Sequence, residues 1–171
     1  VALLRTAVAE RWSSTADLIS GIEELAIRAA AKAAPATDLE QELFEVLRVV
    51  ADIPELELAL GSRLADSAGK GALVASILTT RASAATTLVV SELVQQPRER
   101  RVRSLLTRAL RIVADQRGRT VATVHVARPL DAAQTDRLRA ALSERTGSDI
   151  ALNVVVDASV VGGVRLEIGD E

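Results

Sequence analysis

The chain has 171 residues, 49% apolar and 26% charged, enough to bury a core in one or two domains while staying in water. It contains no Cys, which excludes a disulfide framework and any thiolate metal site and accords with a reducing compartment. Net charge is −2 but unevenly spread: residues 1–97 carry 8 Lys/Arg against 13 Asp/Glu, residues 98–119 carry 8 Arg against 2 acids, and residues 120–171 carry 5 Arg against 8 acids.

Ala, Leu, Val, Arg and Glu dominate, a composition that favours helices. The chain lacks Met and opens inside an apolar run, VALLRTAVAERW, so residues are expected before Val1. That run is too short and too charged to span a bilayer, and no small-residue cleavage site follows it. The chain therefore reads as soluble by itself.

In chain order, a first helix is expected to about Arg11 and to end at Trp12-Ser13-Ser14. Ser14 with Asp17 three residues on reads as the N-cap of a second helix. Its apolar stripe would be Leu18, Ile22, Leu25, Ala26, Ala29 and Ala33, stopped by Pro35. Thr37-Asp38-Leu39-Glu40 reads as a capping box for a third helix with Leu39, Leu43, Val46, Leu47 and Val50 inward. Pro54 starts a short helix with Leu56 and Leu60 inward, closed by Gly61. Gly69 and Gly71 are expected in a loop, with a helix from Lys70 to Leu78. Ser83 begins another, to about Gln95. Short helices joined by brief polar loops describe an antiparallel bundle.

Pro97 reads as the start of the longest helix, to about Gln116, with Val102, Leu105, Leu106, Ala109, Leu110 and Val113 on its apolar stripe. Gly118 stands where a left-handed residue ends a helix. The period then changes. Thr120–Ala127 alternates and is β-branched, which makes a strand, and Pro129 blocks its continuation. Asp131 and Gln134 form a capping box for a helix ended by Gly147. Ile150–Val156 and Val164–Ile168 alternate again and read as a hairpin around a bend or bulge at Gly162-Gly163. Gly169-Asp170 looks like the start of a further turn. The expected fold is α+β: an N-terminal antiparallel helical bundle over 1–96, a connecting Arg-rich helix over 97–117, and a small β-α-β-β domain over 118–171.

The search for chemistry yields little. Gly69-Lys70-Gly71 lacks the leading Gly and the Ser or Thr of a phosphate loop. Gly162-Gly163 lies between strands, not before a helix, as a dinucleotide fingerprint would require. His125 is the only His and has no second His or Cys with which to share a metal. A hydrolase centred on it would lack a nucleophile elbow, so a structural strand His is the plainer reading. Glu40, Glu42 and Glu45 read as a solvated helix face and not as paired catalytic carboxylates. Neither a catalytic residue nor a cofactor or metal ligand is assigned. The arginines RERRVRSLLTRALR leave a nucleic-acid-binding regulator as the alternative reading. Near-absent aromatics and acidic flanks count against it, and the same arginines can pair with acids of the bundle.

Val156–Glu171, VDASVVGGVRLEIGDE, resembles the C-terminal signature of the delta subunit family of bacterial F-type ATP synthase, whose mitochondrial relative is the oligomycin sensitivity-conferring protein. Ala158 replaces the family's Pro, Val160 and Val161 replace Leu and Ile, and the Ile-Asp-Gly-Ser continuation is not in the chain. Upstream, Val121–Leu130 with its capped helix and the Arg-rich helix after Pro97 fit the same family. AERWSSTADL is similar to its actinobacterial members, while the family's first helices are expected to be missing. The resemblance implies a non-catalytic stator subunit without cofactors, seated on the α3β3 head at the cytoplasmic face of the plasma membrane and touching the membrane only through the complex. Its implied partners are the N-termini of the α subunits and the C-terminal region of b, in some actinobacteria one polypeptide with delta. Helix-in-groove docking would then fall on Leu18, Ile22, Leu25, Leu88, Val89 and Leu93, residues that serve equally well as core.

Overall fold

The computed structural model describes residues 2–35, 37–62, 64–160 and 163–168. Among the described residues, seven helices precede the sheet: α1 (Ala2–Ala9), α2 (Thr15–Ala33), α3 (Leu39–Asp52), α4 (Pro54–Gly61), α5 (Ser67–Leu78), α6 (Ala84–Gln95) and α7 (Val102–Gln116). Then come β1 (Arg119–Val126), α8 (Ala132–Thr146), β2 (Asp149–Val156) and β3 (Val164–Ile168). The α+β class and its β-α-β-β order are as expected.

Local signals set many of the ends. Ser14 accepts the Asp17 N–H, Ser83 accepts that of Thr86, and Asp131 and Gln134 close a complete capping box. Gly118 and Gly147 adopt the left-handed backbone, with φ +68 and +71, that terminates α7 and α8.

Several expectations are corrected. The N-cap of α3 is Asp38, accepting from Gln41 N–H, and not Thr37; Glu40 instead turns inward. α4 includes Gly61, and Ser62 is its cap. α5 begins at Ser67, capped by Asp66, so Gly69, Lys70 and Gly71 are helical. Gly71 lies against the Gln95 side chain of α6, where a Cβ would come within 2.6 Å of the amide unless that side chain shifted. The Arg-rich helix α7 begins at Val102, not Pro97, and with 15 residues is shorter than α2 with 19: Arg98 and Glu99 have φ +48 and +68, which no right-handed helix accommodates. α2 buries Ile27 and Ala31, whereas Ala26, Ala29 and Ala33 are exposed. Its many alanines leave the period without a unique apolar face. Trp12 packs over Gly21 of α2, where a Cβ would meet its ring at 2.3 Å, and donates to Ala7 O at 2.6 Å, tying α1 to α2.

The sheet is also arranged differently from a hairpin. β1 is central, parallel to β2 and antiparallel to β3, and Val126 is the partner of both Val156 and Val164. Alternation marks a strand but not its neighbour, and β2 and β3 lie on opposite edges of the sheet. Gly163 has φ +72 and supplies a left-handed residue; Gly162, Gly169 and Asp170 lie outside the described residues.

One core joins the helices: Leu39 and Leu43 of α3, Val90 and Val94 of α6, and Val102, Leu106 and Val113 of α7 are fully or almost fully buried. Val121 and Val155 of the sheet pack against it. The opposite sheet face, Ala122, Ile150 and Leu152, meets Leu138 and Leu142 of α8. No helix among the described residues is long and apolar enough to cross a membrane.

Candidate functional site

α2 and α6 lie side by side and leave an apolar groove of about 490 Å³ between them. Ile19, Ile22, Ala26, Ile27 and Ala30 form one wall, and Leu88, Val89 and Leu93 form the other. Four of the six residues expected at a docking surface (Ile22, Leu88, Val89 and Leu93) thus line one groove. Leu18 and Leu25 are half-buried and do not line it. Leu88 is 57% exposed, a large side chain held out toward solvent, whereas Val89 and Leu93 are 6% exposed and also serve the core.

One end of the groove is polar. Glu23, Glu92, Gln96 and Arg98 stand there. Arg100 grips Glu23 with two bonds, at 2.7 and 2.8 Å, while Arg108 lies at 3.1 Å and Arg98 at 3.8 Å. Burial pushes the Glu23 carboxyl up, but the Arg100 bonds and the charges of Arg100, Arg98 and Arg108 outweigh it and hold it below the ordinary glutamate range. Residues 97–100 make a turn closed by Arg100 N–H to Pro97 O, which sets Arg98 at the groove mouth. The left-handed backbone of Arg98 and Glu99 costs roughly 1–2 kcal/mol per residue and is held by these ion pairs.

Many arginines of the band are therefore paired within the chain. Besides the Glu23 cluster, Arg103 pairs with Glu57 at 3.2 Å, Arg108 with Glu24 at 3.4 Å, and Arg117 and Arg119 with Glu40 at 3.6 and 3.1 Å. Glu40 and Glu42 are not on a solvated face, as their spacing suggested. Glu40 is 4% exposed. Glu42 accepts the Ser83 N–H and hydroxyl at 2.9 and 2.7 Å, and the Thr86 hydroxyl. Burial pushes its carboxyl up, and these bonds more than offset that and leave it lowered.

His125 sits on β1 with Nδ1 3.9 Å from Asp157 and Nε2 3.6 Å from Glu167. Among the described residues no hydroxyl hydrogen-bonds to it, and its buried Nδ1 makes no hydrogen bond. Nor do three or more His, Asp or Glu side chains converge among them as a metal site would need.

Fold and groove together define a class: a helical bundle with an open apolar groove and a small sheet layer attached. The chain belongs to the ATP synthase delta (OSCP) subunit family, whose model matches residues 25–171. It is 48% identical to an ATP synthase subunit delta of Leifsonia xyli subsp. xyli, over all of this chain and 65% of that protein. Against that of Streptomyces avermitilis it is 42% identical over 96% of this chain and 62% of the relative. Against that of Streptomyces lividans it is 40% identical over the whole chain and 64% of the relative. The chain thus spans a little under two thirds of these relatives.

Proposed function

We propose that the chain is the adaptor of the peripheral stalk of an F-type proton-translocating ATP synthase. Its bundle holds the catalytic head and its β-rich unit holds the stalk. Family membership supports the complex, and the α2–α6 groove supports the mode of attachment. An amphipathic helix laid in that groove buries its apolar face against Ile22, Leu88 and Leu93. The occupant in this reading is the N-terminal segment of an α subunit, and the C-terminal region of b occupies the unit over 118–171. Such an adaptor needs strong, static contacts and performs no chemistry itself; its place is the cytoplasmic face of the plasma membrane, reached through the complex. The arginines, paired within the bundle, favour this reading over a nucleic-acid regulator.

Calorimetry tests it. A peptide from the N-terminus of the α subunit should bind the chain. Leu88→Glu, at an exposed wall position, should weaken binding about ten-fold or more, because about 1.4 kcal/mol of lost apolar contact is a factor of ten. Absence of heat at micromolar concentrations, or equal affinity for Leu88→Glu, would overturn it.

A further inference from the structure

The sheet ends in an open edge at β2. Asp157 N–H donates to Val126 O at 2.8 Å, which fixes the parity of the strand. Odd-numbered residues of β2 point their backbone groups at β1, and Ile150, Leu152 and Val154 point theirs outward. The Asp149 carboxylate accepts the Ile150 N–H at 3.1 Å. Among the described residues nothing bonds to the outward N–H or C=O groups of Leu152 and Val154.

A polar slot of about 300 Å³ runs along this edge, lined by Asp149 through Asn153 without a gap. Consecutive strand residues face opposite sides of a sheet, so a cavity lined by five in a row lies along the edge and not on a face. The start of α3, with Asp38, Glu40 and Gln41, walls it on one side, and Arg139 of α8 on the other. Asn153 lines the slot, is only 5% exposed, and its Nδ2 has no hydrogen-bond partner. A buried donor left unmade costs about 1–3 kcal/mol.

From this geometry we infer that the outer edge of β2 is a strand-addition site, which takes an extended polypeptide segment of a partner into the slot between α3 and α8. The added strand closes the ladder on Leu152 and Val154. Its side chains alternate: those on the α3 side offer an acceptor, such as a carboxamide oxygen, to Asn153 Nδ2, and those on the α8 side offer an acid to Arg139, which is 44% exposed and pairs with Asp136 at 2.8 Å. The inference deepens the adaptor reading and rests on it for a second partner on the β-rich unit, but its test does not pass through the helix groove.

The probe is acetyl-Gln-Glu-Gln-Val-Gln-amide, titrated to millimolar concentration into the isotopically labelled full chain and followed by NMR. The expected result is shift changes at Ile150–Val154 and the Asn153 side-chain amide, with hydrogen exchange at Leu152 and Val154 slowed about ten-fold at saturation. Val154→Pro removes an outward N–H at an edge position where Pro is tolerated and should abolish binding while leaving the α-subunit peptide bound in the groove. Asn153→Leu should keep the fold and weaken the probe several-fold, which decides the matter even if Val154→Pro does not fold. Unchanged exchange at Leu152 and Val154, changes falling on β3 instead, or full binding by Asn153→Leu would overturn the inference. So would slow exchange without peptide that rises with chain concentration, since the edge would then be covered by a second copy. Loss of groove binding with a positive edge result would instead overturn the function proposed above.

Discussion

At the scale of single residues, charge placement decides more than charge number. Glu23 is the junction of three arginines, and its side chain is 13% exposed. Its folded carboxyl lies below the ordinary range, so it contributes stability that is complete above the unfolded glutamate value of about 4.3 and lost as pH falls through the lower folded value. Glu42 has the same sign, with bonds to Thr86 and Ser83. We expect Glu23→Gln to reduce the loss of urea resistance as pH falls from about 5 to about 3, relative to the unchanged chain. An identical pH dependence in the two would show that the arginine cluster is not the source. Glu40 departs from the solvated face its spacing predicts, because spacing alone places a side chain on a face, while which face meets another part of the chain depends on the whole packing.

At the scale of elements, the bundle ties its helix ends through other helices. Glu42 of α3 binds the first turn of α6 through Ser83 and Thr86. Glu57 of α4 accepts the Val102 and Arg103 N–H groups at 2.7 and 3.2 Å, where Arg101 makes no side-chain cap of its own. Lys70 of α5, 7% exposed, donates to Leu60 O and Ser62 O at the end of α4. Anions thus meet helix N-termini and a cation meets a C-terminus, as the helix dipole favours. Glu57→Ala should cost about 1 kcal/mol, the usual value of a lost N-cap. Hydrogen exchange at Val102 and Arg103 should accelerate while α5 and α6 are unaffected. Unchanged exchange at those two amides would rule the cap out. Local caps such as Ser14, Ser83 and the Asp131–Gln134 box were legible because both partners lie within one turn. The caps that Glu42 and Glu57 place on α6 and α7 were not, because their partners are more than forty residues apart.

At the scale of the molecule, bundle and sheet are joined by a charged seam. Glu40 on α3 meets Arg117 and Arg119, Arg119 reaches Asp149 at the start of β2, and Arg117 also donates to Thr37 O at 2.6 Å. Val121 and Val155 add apolar contact beside it. Removing one partner of a buried pair costs ~3–5 kcal/mol, and because Arg119 is 39% exposed we expect about 2–3 kcal/mol for Glu40→Ala in urea unfolding. A loss below about 0.5 kcal/mol, typical of a surface substitution, would show that the seam does not hold the two parts together. α7 serves both sides of this join, since its buried stripe belongs to the bundle and its end leads into β1.

By itself the sequence determined the periods, and with them the helices, the three strands, the end signals at Gly118 and Gly147, and the family signature around Gly163. These depend on neighbours within a few residues, where backbone preference and alternation act directly. Only the tertiary structure decided that β1 lies between β2 and β3, that the helix after Pro97 waits until Val102, and that Glu40 is a buried tie. It alone brought Ile22 together with Leu88, Val89 and Leu93, and left the Leu152–Val154 edge open beside Asn153. Each of these is a contact between distant segments, settled by which apolar faces can be buried at once and which charges that burial forces into pairs.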